Sequence, residues 1–227
     1  MNSPRPLEVK ICGLDRPESV AAAAAAGADY IGFAFYPPSP RNLSPARAAE
    51  LTGLVPKGVV RVGLFVDPSD EQIDSVLEAT SLDLLQLHGG ETPDRVGEIK
   101  ERTRLPVMKV ISVAGAADLE RADDFRGIAD RFLFDTKPPT DMTDALPGGN
   151  ALMFDWRLLS KRRIVAPWML AGGLTDQNVA QAVQISGARA VDVSSGVEDR
   201  PGVKNVDKIQ RFIGAARSVP IDARTMK

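Results

Sequence analysis

Short apolar runs alternate along this chain with longer stretches whose apolar residues recur at helical spacing. Residues 7–12, 30–35, 59–66, 84–87, 107–111, 131–135, 168–171 and 190–193 read as buried strands, four to eight residues long and apolar throughout or nearly so. Between and after them, residues 17–26, 45–54, 70–80, 92–103, 116–125, 154–162, 177–186 and 206–216 read as helices. Their ends carry local signals. Pro17 suits a first helical turn, and Gly27 falls where a left-handed residue ends the helix. Ser44-Pro45 and Thr92-Pro93 each pair an N-cap with a proline at the first helical position. One connection is long and polar, residues 136–153, as expected of a lid or binding loop.

Eight strand–helix units in sequence predict an α/β fold, a single-domain (β/α)₈ barrel over residues 1–227 with a loose polar tail from about residue 219. The competing architecture, an open doubly wound sheet, calls for Gly-x-Gly-x-x-Gly after the first strand. Cys12-Gly13-Leu14-Asp15 is not that turn.

Composition narrows the chemistry. The chain is 44% hydrophobic and 26% charged, as in an ordinary soluble domain. A net charge of −2 gives no electrostatic case for nucleic acid or an anionic membrane as partner. With one cysteine and one histidine, an internal disulfide and a cysteine- or histidine-built metal site are not expected. No leader pattern or bilayer-length apolar run is evident, so a cytoplasmic location is expected.

In a barrel of this kind the active site lies at the carboxyl ends of the strands, which gathers Cys12, Arg41, His88, Asp135, Gly172, Gly173, Asp192, Ser194, Ser195 and Gly196 at one mouth. Glycines after the seventh strand, with Ser194, Ser195 and Gly196 after the eighth, would turn backbone N–H groups toward one point. A helix opening there would add its positive end, so a small phosphorylated substrate is expected. A lone cysteine is more often an inert core residue, but Cys12 ends a strand at the mouth beside Gly13, where a thiol can serve as general base. Asp135 follows Phe132-Leu133-Phe134, and a carboxyl group at an apolar mouth is a candidate acid with a raised pKa. Arg41 suits a carboxylate or phosphate, or else a solvated surface; His88 is read as a supporting residue.

Parity adds one expectation. Lys10 lies two residues before Cys12 on the same strand face, about 6.6 Å deeper in the barrel. It should be buried and paired with a carboxylate, Asp192 of the neighbouring eighth strand, because an unpaired buried charge is costly. A cation there would favour the Cys12 thiolate.

Lys10-Ile11-Cys12-Gly13, Gly32-Phe33 with Ser39-Pro40-Arg41, Gln86-Leu87-His88-Gly89, Asp135-Thr136-Lys137, Gly172-Gly173-Leu174 and Val191 through Glu198 resemble the phosphoribosylanthranilate isomerase family of tryptophan biosynthesis, in order and at family spacing. The resemblance implies a TIM barrel of the ribulose-phosphate-binding type, acting as monomer or homodimer without a cofactor. It implies an Amadori rearrangement, with Asp135 as acid, Cys12 as base and Arg41 on the anthranilate carboxylate. A neighbouring phosphoribosyl isomerase family, acting on the aminoimidazole-carboxamide ribotide, has aspartate where Cys12 stands. One departure is visible: Ala151 replaces a glycine of the family's glycine-rich loop, so an altered turn closing on the substrate is expected. That change also raises a third reading, a phosphate-binding barrel without catalysis.

Overall fold

The structure, a computed structural model, describes residues 7–138 and 146–220. Eight parallel strands form a closed barrel in sequence order: β1 (Glu8–Cys12), β2 (Tyr30–Phe35), β3 (Val60–Phe65), β4 (Leu84–Leu87), β5 (Val107–Val113), β6 (Arg131–Thr136), β7 (Trp168–Leu170) and β8 (Ala190–Val193). Outside them run α1 (Pro17–Ala25), α2 (Pro45–Thr52), α3 (Asp70–Ala79), α4 (Pro93–Thr103), α5 (Arg121–Asp124), α6 (Arg157–Ser160), α7 (Val179–Ser186) and α8 (Val206–Arg217). A small hairpin, β9 (Glu198–Arg200) with β10 (Val203–Lys204), precedes α8. No helix among the described residues is long and apolar enough to cross a membrane.

The expected caps form. Ser44 and Thr92 accept from the backbone N–H groups of Arg47 and Arg95, each at 3.2 Å. Gly27, at φ +91°, closes α1: its N–H reaches the Ala24 carbonyl and that of Ala28 reaches Ala23. That pairing satisfies the helix's last carbonyls, and the left-handed turn costs glycine no Cβ clash.

Strand alternation divides the core in two. Val62, Leu84, Met108, Val110, Leu133, Met169 and Ala190 fill the barrel interior, and the larger cluster packs between strands and helices. The amino-terminal end is closed by polar side chains: Tyr30 donates to Glu8 at 2.9 Å, and Arg131 donates to the same carboxylate at 2.7 Å.

The differences from the sequence reading have local causes. The stretch 116–125 splits into a 3₁₀ turn and α5, because the Asp118 carboxylate takes the N–H groups of Ala114 and Gly115 and tightens the start. After β8 no full helix opens on the glycines; only a three-residue 3₁₀ turn, Ser195–Val197, forms before the hairpin. A helix dipole is therefore not available there, and backbone N–H groups must act without it. The hairpin itself was not foreseen, since its strands are too short and polar to stand out. Val219 is buried; the rest of the expected loose tail, beyond residue 220, lies outside the described residues.

Candidate active site

At the carboxyl-terminal mouth, β1 sets the arrangement. Lys10 pairs in register with Asp192 of β8, and its ammonium donates to Asp192 Oδ1 at 2.9 Å with the lysine 0% exposed. One layer above, Cys12 is buried and free, facing Gly32 of β2. A Cβ on Gly32 would stand 2.9 Å from Cys12 Sγ and 3.3 Å from Lys10 Nζ, so only glycine leaves room for the two side chains to meet. The electrostatics only half match expectation. Lys10 pulls the thiol pKa down, but burial outweighs it, and the net displacement is upward with a further push from Asp192. The thiol is the resting form, with the neighbouring ammonium as the main opposing influence.

Asp135 sits across the mouth near the end of β6. Burial pushes its carboxyl pKa up to about 7, against the Thr136 N–H that donates to Oδ1 at 2.7 Å. His88 Nε2 lies 3.5 Å from Asp135 Oδ2. This is not an ion pair: burial, then Lys109 and Lys10, drive the imidazole down to about 3, so it is neutral. The turn that carries His88 is pinned from outside the barrel. Lys109 donates to Glu91 at 2.9 Å, and Glu91 in turn accepts from the N–H groups of Asp67 and Gly89.

Cys12, Arg41, His88, Asp135 and Asp192 face one cavity of about 520 Å³, with Ala34, Leu64, Val66 and Pro147 as its apolar wall. Two buried acceptors there, Gln86 Oε1 and His88 Nε2, have no hydrogen-bond partner among the described residues, as expected of groups completed by a ligand's donors. Arg41 is buried and gripped side-on by Glu198, Nε to Oε1 and Nη2 to Oε2, both at 2.7 Å. The solvated-surface alternative for Arg41 is thereby removed. Gly13, at φ +74°, lies against the arginine stem, where a Cβ would come within 2.6 Å of Arg41 Cδ.

A second cavity of about 390 Å³ adjoins the first, sharing Asp135, Gly149, Asp192 and Ser194 with it. Its walls include Gly172, Gly173, Ser194, Ser195 and Gly196, as the sequence placed them. The two loops interlock, for a Cβ on Gly196 would collide with the Leu174 carbonyl oxygen.

The described part of the loop after β6 lies over both cavities. Asn150 closes a turn on Leu146 (Nδ2 to the carbonyl, 2.7 Å), and Thr136 Oγ1 donates to the Leu152 carbonyl at 2.8 Å. Gly148 rests on the catalytic candidates: a Cβ there would be 2.5 Å from His88 Cε1 and 2.6 Å from Asp135 Oδ2. Ala151 holds φ +57°, so it adopts a left-handed backbone despite its side chain. Residues 139–145 of this loop lie outside the described residues.

Sequence reasoning missed Glu198, Lys204, Gly148 and Gly149 as site residues. Glu198 had a usable signal, since an arginine at a buried mouth requires a carboxylate and Lys10 already claims Asp192. The loop glycines were signalled only by the resemblance to the family's glycine-rich loop, because the need for each depends on which atoms lie beneath it.

The family model described as N-(5'phosphoribosyl)anthranilate (PRA) isomerase matches residues 9–215. The N-(5'-phosphoribosyl)anthranilate isomerase of Paramagnetospirillum magneticum is 58% identical over 212 residues, covering 93% of this chain and 98% of the relative. Among solved structures, the phosphoribosyl anthranilate isomerase of Thermotoga maritima superposes with a TM-score of 0.82 at 38% identity, covering 92% of this chain and 98% of that one. A structure of phosphoribosyl anthranilate isomerase in complex with reduced 1-(o-carboxyphenylamino)-1-deoxyribulose 5-phosphate gives a TM-score of 0.78 at 37% identity, with the same coverage of 92% and 98%.

Proposed function

The chain belongs to the N-(5'-phosphoribosyl)anthranilate isomerase family, enzymes of tryptophan biosynthesis, and from that premise we propose how its mouth performs the reaction. The substrate N-(5-phosphoribosyl)anthranilate spans both cavities, with its phosphate against Gly172, Gly173, Ser194, Ser195 and Gly196 and its anthranilate ring against the apolar wall. Arg41 takes the ring's carboxylate. The observation that carries this reading is that Cys12 and Asp135, one thiol and one carboxyl group from separate strands, face the same cavity between an arginine and a glycine-rich loop.

Asp135, protonated near neutral pH, gives its proton to the furanose ring oxygen. The C1–O bond breaks, the nitrogen lone pair forms a C=N bond to C1, and an open-chain iminium results. Cys12 as thiolate then removes the proton from C2, and the released electron pair runs through C1 to nitrogen, giving an enolamine. The enolamine tautomerises to 1-(2-carboxyphenylamino)-1-deoxyribulose 5-phosphate, with a proton gained at C1 and one lost from the C2 hydroxyl. The iminium itself is the electron sink. Lys10 stabilises the transient thiolate, and neutral His88 beside Asp135 adds no positive charge that would strip the acid of its proton.

The related structure with the reduced product supports this substrate class, and the fit of two adjoining cavities to a two-ended anion supports its orientation. The test is incubation of purified protein with freshly made phosphoribosylanthranilate, following loss of its fluorescence and identifying the product by mass and absorbance. Fluorescence loss matched by the carboxyphenylamino ketose supports the proposal. Loss no faster than spontaneous hydrolysis, with anthranilate as the product, refutes it.

A further inference from the structure

The hairpin after β8 buries an ionic cluster that the proton transfers do not use. Arg41 fills one edge of the Glu198 carboxylate through Nε and Nη2. Lys204 donates to Glu198 Oε1 at 2.7 Å, and the Gly202 N–H donates to Oε2 at 3.3 Å. The Arg41, Glu198 and Lys204 side chains are 6%, 3% and 0% exposed. Lys204 continues to the Ser194 carbonyl at 2.9 Å and the Ser194 hydroxyl at 3.1 Å, and that hydroxyl donates to the Cys12 carbonyl at 3.2 Å.

Two cations thus share one carboxylate, leaving one positive charge in a buried setting. Asp15 lies close enough to Lys204 and Glu198 to feel both, but its carboxylate is 3.9 Å from the Arg16 guanidinium. A buried charge without a counter-ion is costly, and an anionic ligand would complete the set. Arg41 Nη1, which takes no part in the Glu198 pair, is the outlet: it borders the cavity under Gly149, where a Cβ would stand 2.8 Å from it.

We propose that Glu198 and Lys204 are positioning residues, with Glu198 aiming the Arg41 guanidinium at the substrate carboxylate and Lys204 locking that anchor to Ser194 of the phosphate-side loop. The inference rests on the function proposed above for its choice of ligand. It assigns the two residues separable effects. Losing Glu198 releases Arg41 and harms the carboxylate end alone, because Lys204 still holds Ser194. Losing Lys204 loosens both ends at once.

Calorimetric titration with two probes separates these effects. One is reduced 1-(o-carboxyphenylamino)-1-deoxyribulose 5-phosphate, and the other is the same compound lacking the ring carboxylate. Wild type should prefer the carboxylated probe by about tenfold or more, the scale of a buried charge-assisted contact. Glu198→Gln should lose most of that preference while holding the carboxylate-free probe within about twofold. Lys204→Met should weaken both probes, and Lys204→Arg should recover part of the loss, which a merely misfolded hairpin would not. If Glu198→Gln does not fold, Glu198→Asp, which keeps the charge but shortens the reach, should show the same selective loss. Retained preference in the Glu198 variants, or unchanged binding of the carboxylate-free probe by Lys204→Met, overturns the proposal. Probe preference in a wild-type protein that does not turn over phosphoribosylanthranilate would instead leave this inference standing and refute the proposed reaction.

Discussion

Replacing Lys10 with methionine tests the barrel interior most sharply. The ammonium is fully buried, its partner Asp192 is 9% exposed at the side chain, and the bond between them is 2.9 Å. Solvent screening is therefore slight, and Lys10→Met leaves Asp192 as a buried charge without a counter-ion. Removing one partner of such a pair costs about 3–5 kcal/mol. For a chain of this size that corresponds to a fall in Tm of roughly 6–20 °C. The pair should also imprint a pH dependence. Burial lowers the Lys10 pKa, but Asp192 and Cys12 outweigh it and leave it raised above 10.5. Its contribution is then fully present below pH 10.5 and disappears as pH climbs through the raised folded value. Urea unfolding of wild type, Lys10→Met and the double variant Lys10→Met/Asp192→Leu gives the measurement. The single variant should lose several kcal/mol and the double variant should regain much of it, because an apolar pair leaves no orphaned charge. A single-variant loss below about 1 kcal/mol, or a double variant no more stable than the single, would refute the reasoning.

Other expectations follow from the mouth and its loop. The working state needs Asp135 protonated and Cys12 ionised, although the acid's pKa (about 7) lies below that of the thiol, which burial raises above 9.0. The active fraction then rises with pH up to about 7, stays level, and falls only above the thiol's value; kcat/KM that drops between pH 6 and 8 would contradict it. Gly148→Ala should lower turnover on the order of 10²-fold by lifting the loop from His88 and Asp135, with Tm almost unchanged; full activity would show that the loop does not bear on the acid. In Ala151→Gly, relief of a left-handed alanine worth ~1–2 kcal/mol is partly offset by ~0.4–1 kcal/mol of unfolded-state entropy. Urea unfolding should therefore show a variant as stable as wild type or up to about 1.6 kcal/mol more so, and a marked loss would mean that the alanine contributes packing.

Much of the architecture was legible because barrel strands and helices announce themselves locally. β2, β4 and β8 match their expected spans because buried parallel strands are short apolar runs between turn signals. The Lys10–Asp192 pair was legible for another reason: strand parity and barrel closure together leave few partners for an inward lysine. The hairpin of Glu198 and Lys204 was not legible. Its strands are three and two residues long, and what ties it to the barrel is an ionic contact with Arg41, 157 positions away from Glu198. Lys10 favours the Cys12 thiolate as expected, but the net upward displacement was not legible, since residue order reveals the neighbouring lysine and not how completely the pair is removed from water.

Single-turnover kinetics of Cys12→Ser and Asp135→Asn, each verified as folded and able to bind the reduced product, test the central claim most directly. The account predicts that each variant converts phosphoribosylanthranilate at least ~10²-fold more slowly than wild type while binding the reduced product comparably. Turnover near the wild-type rate in either variant would contradict it.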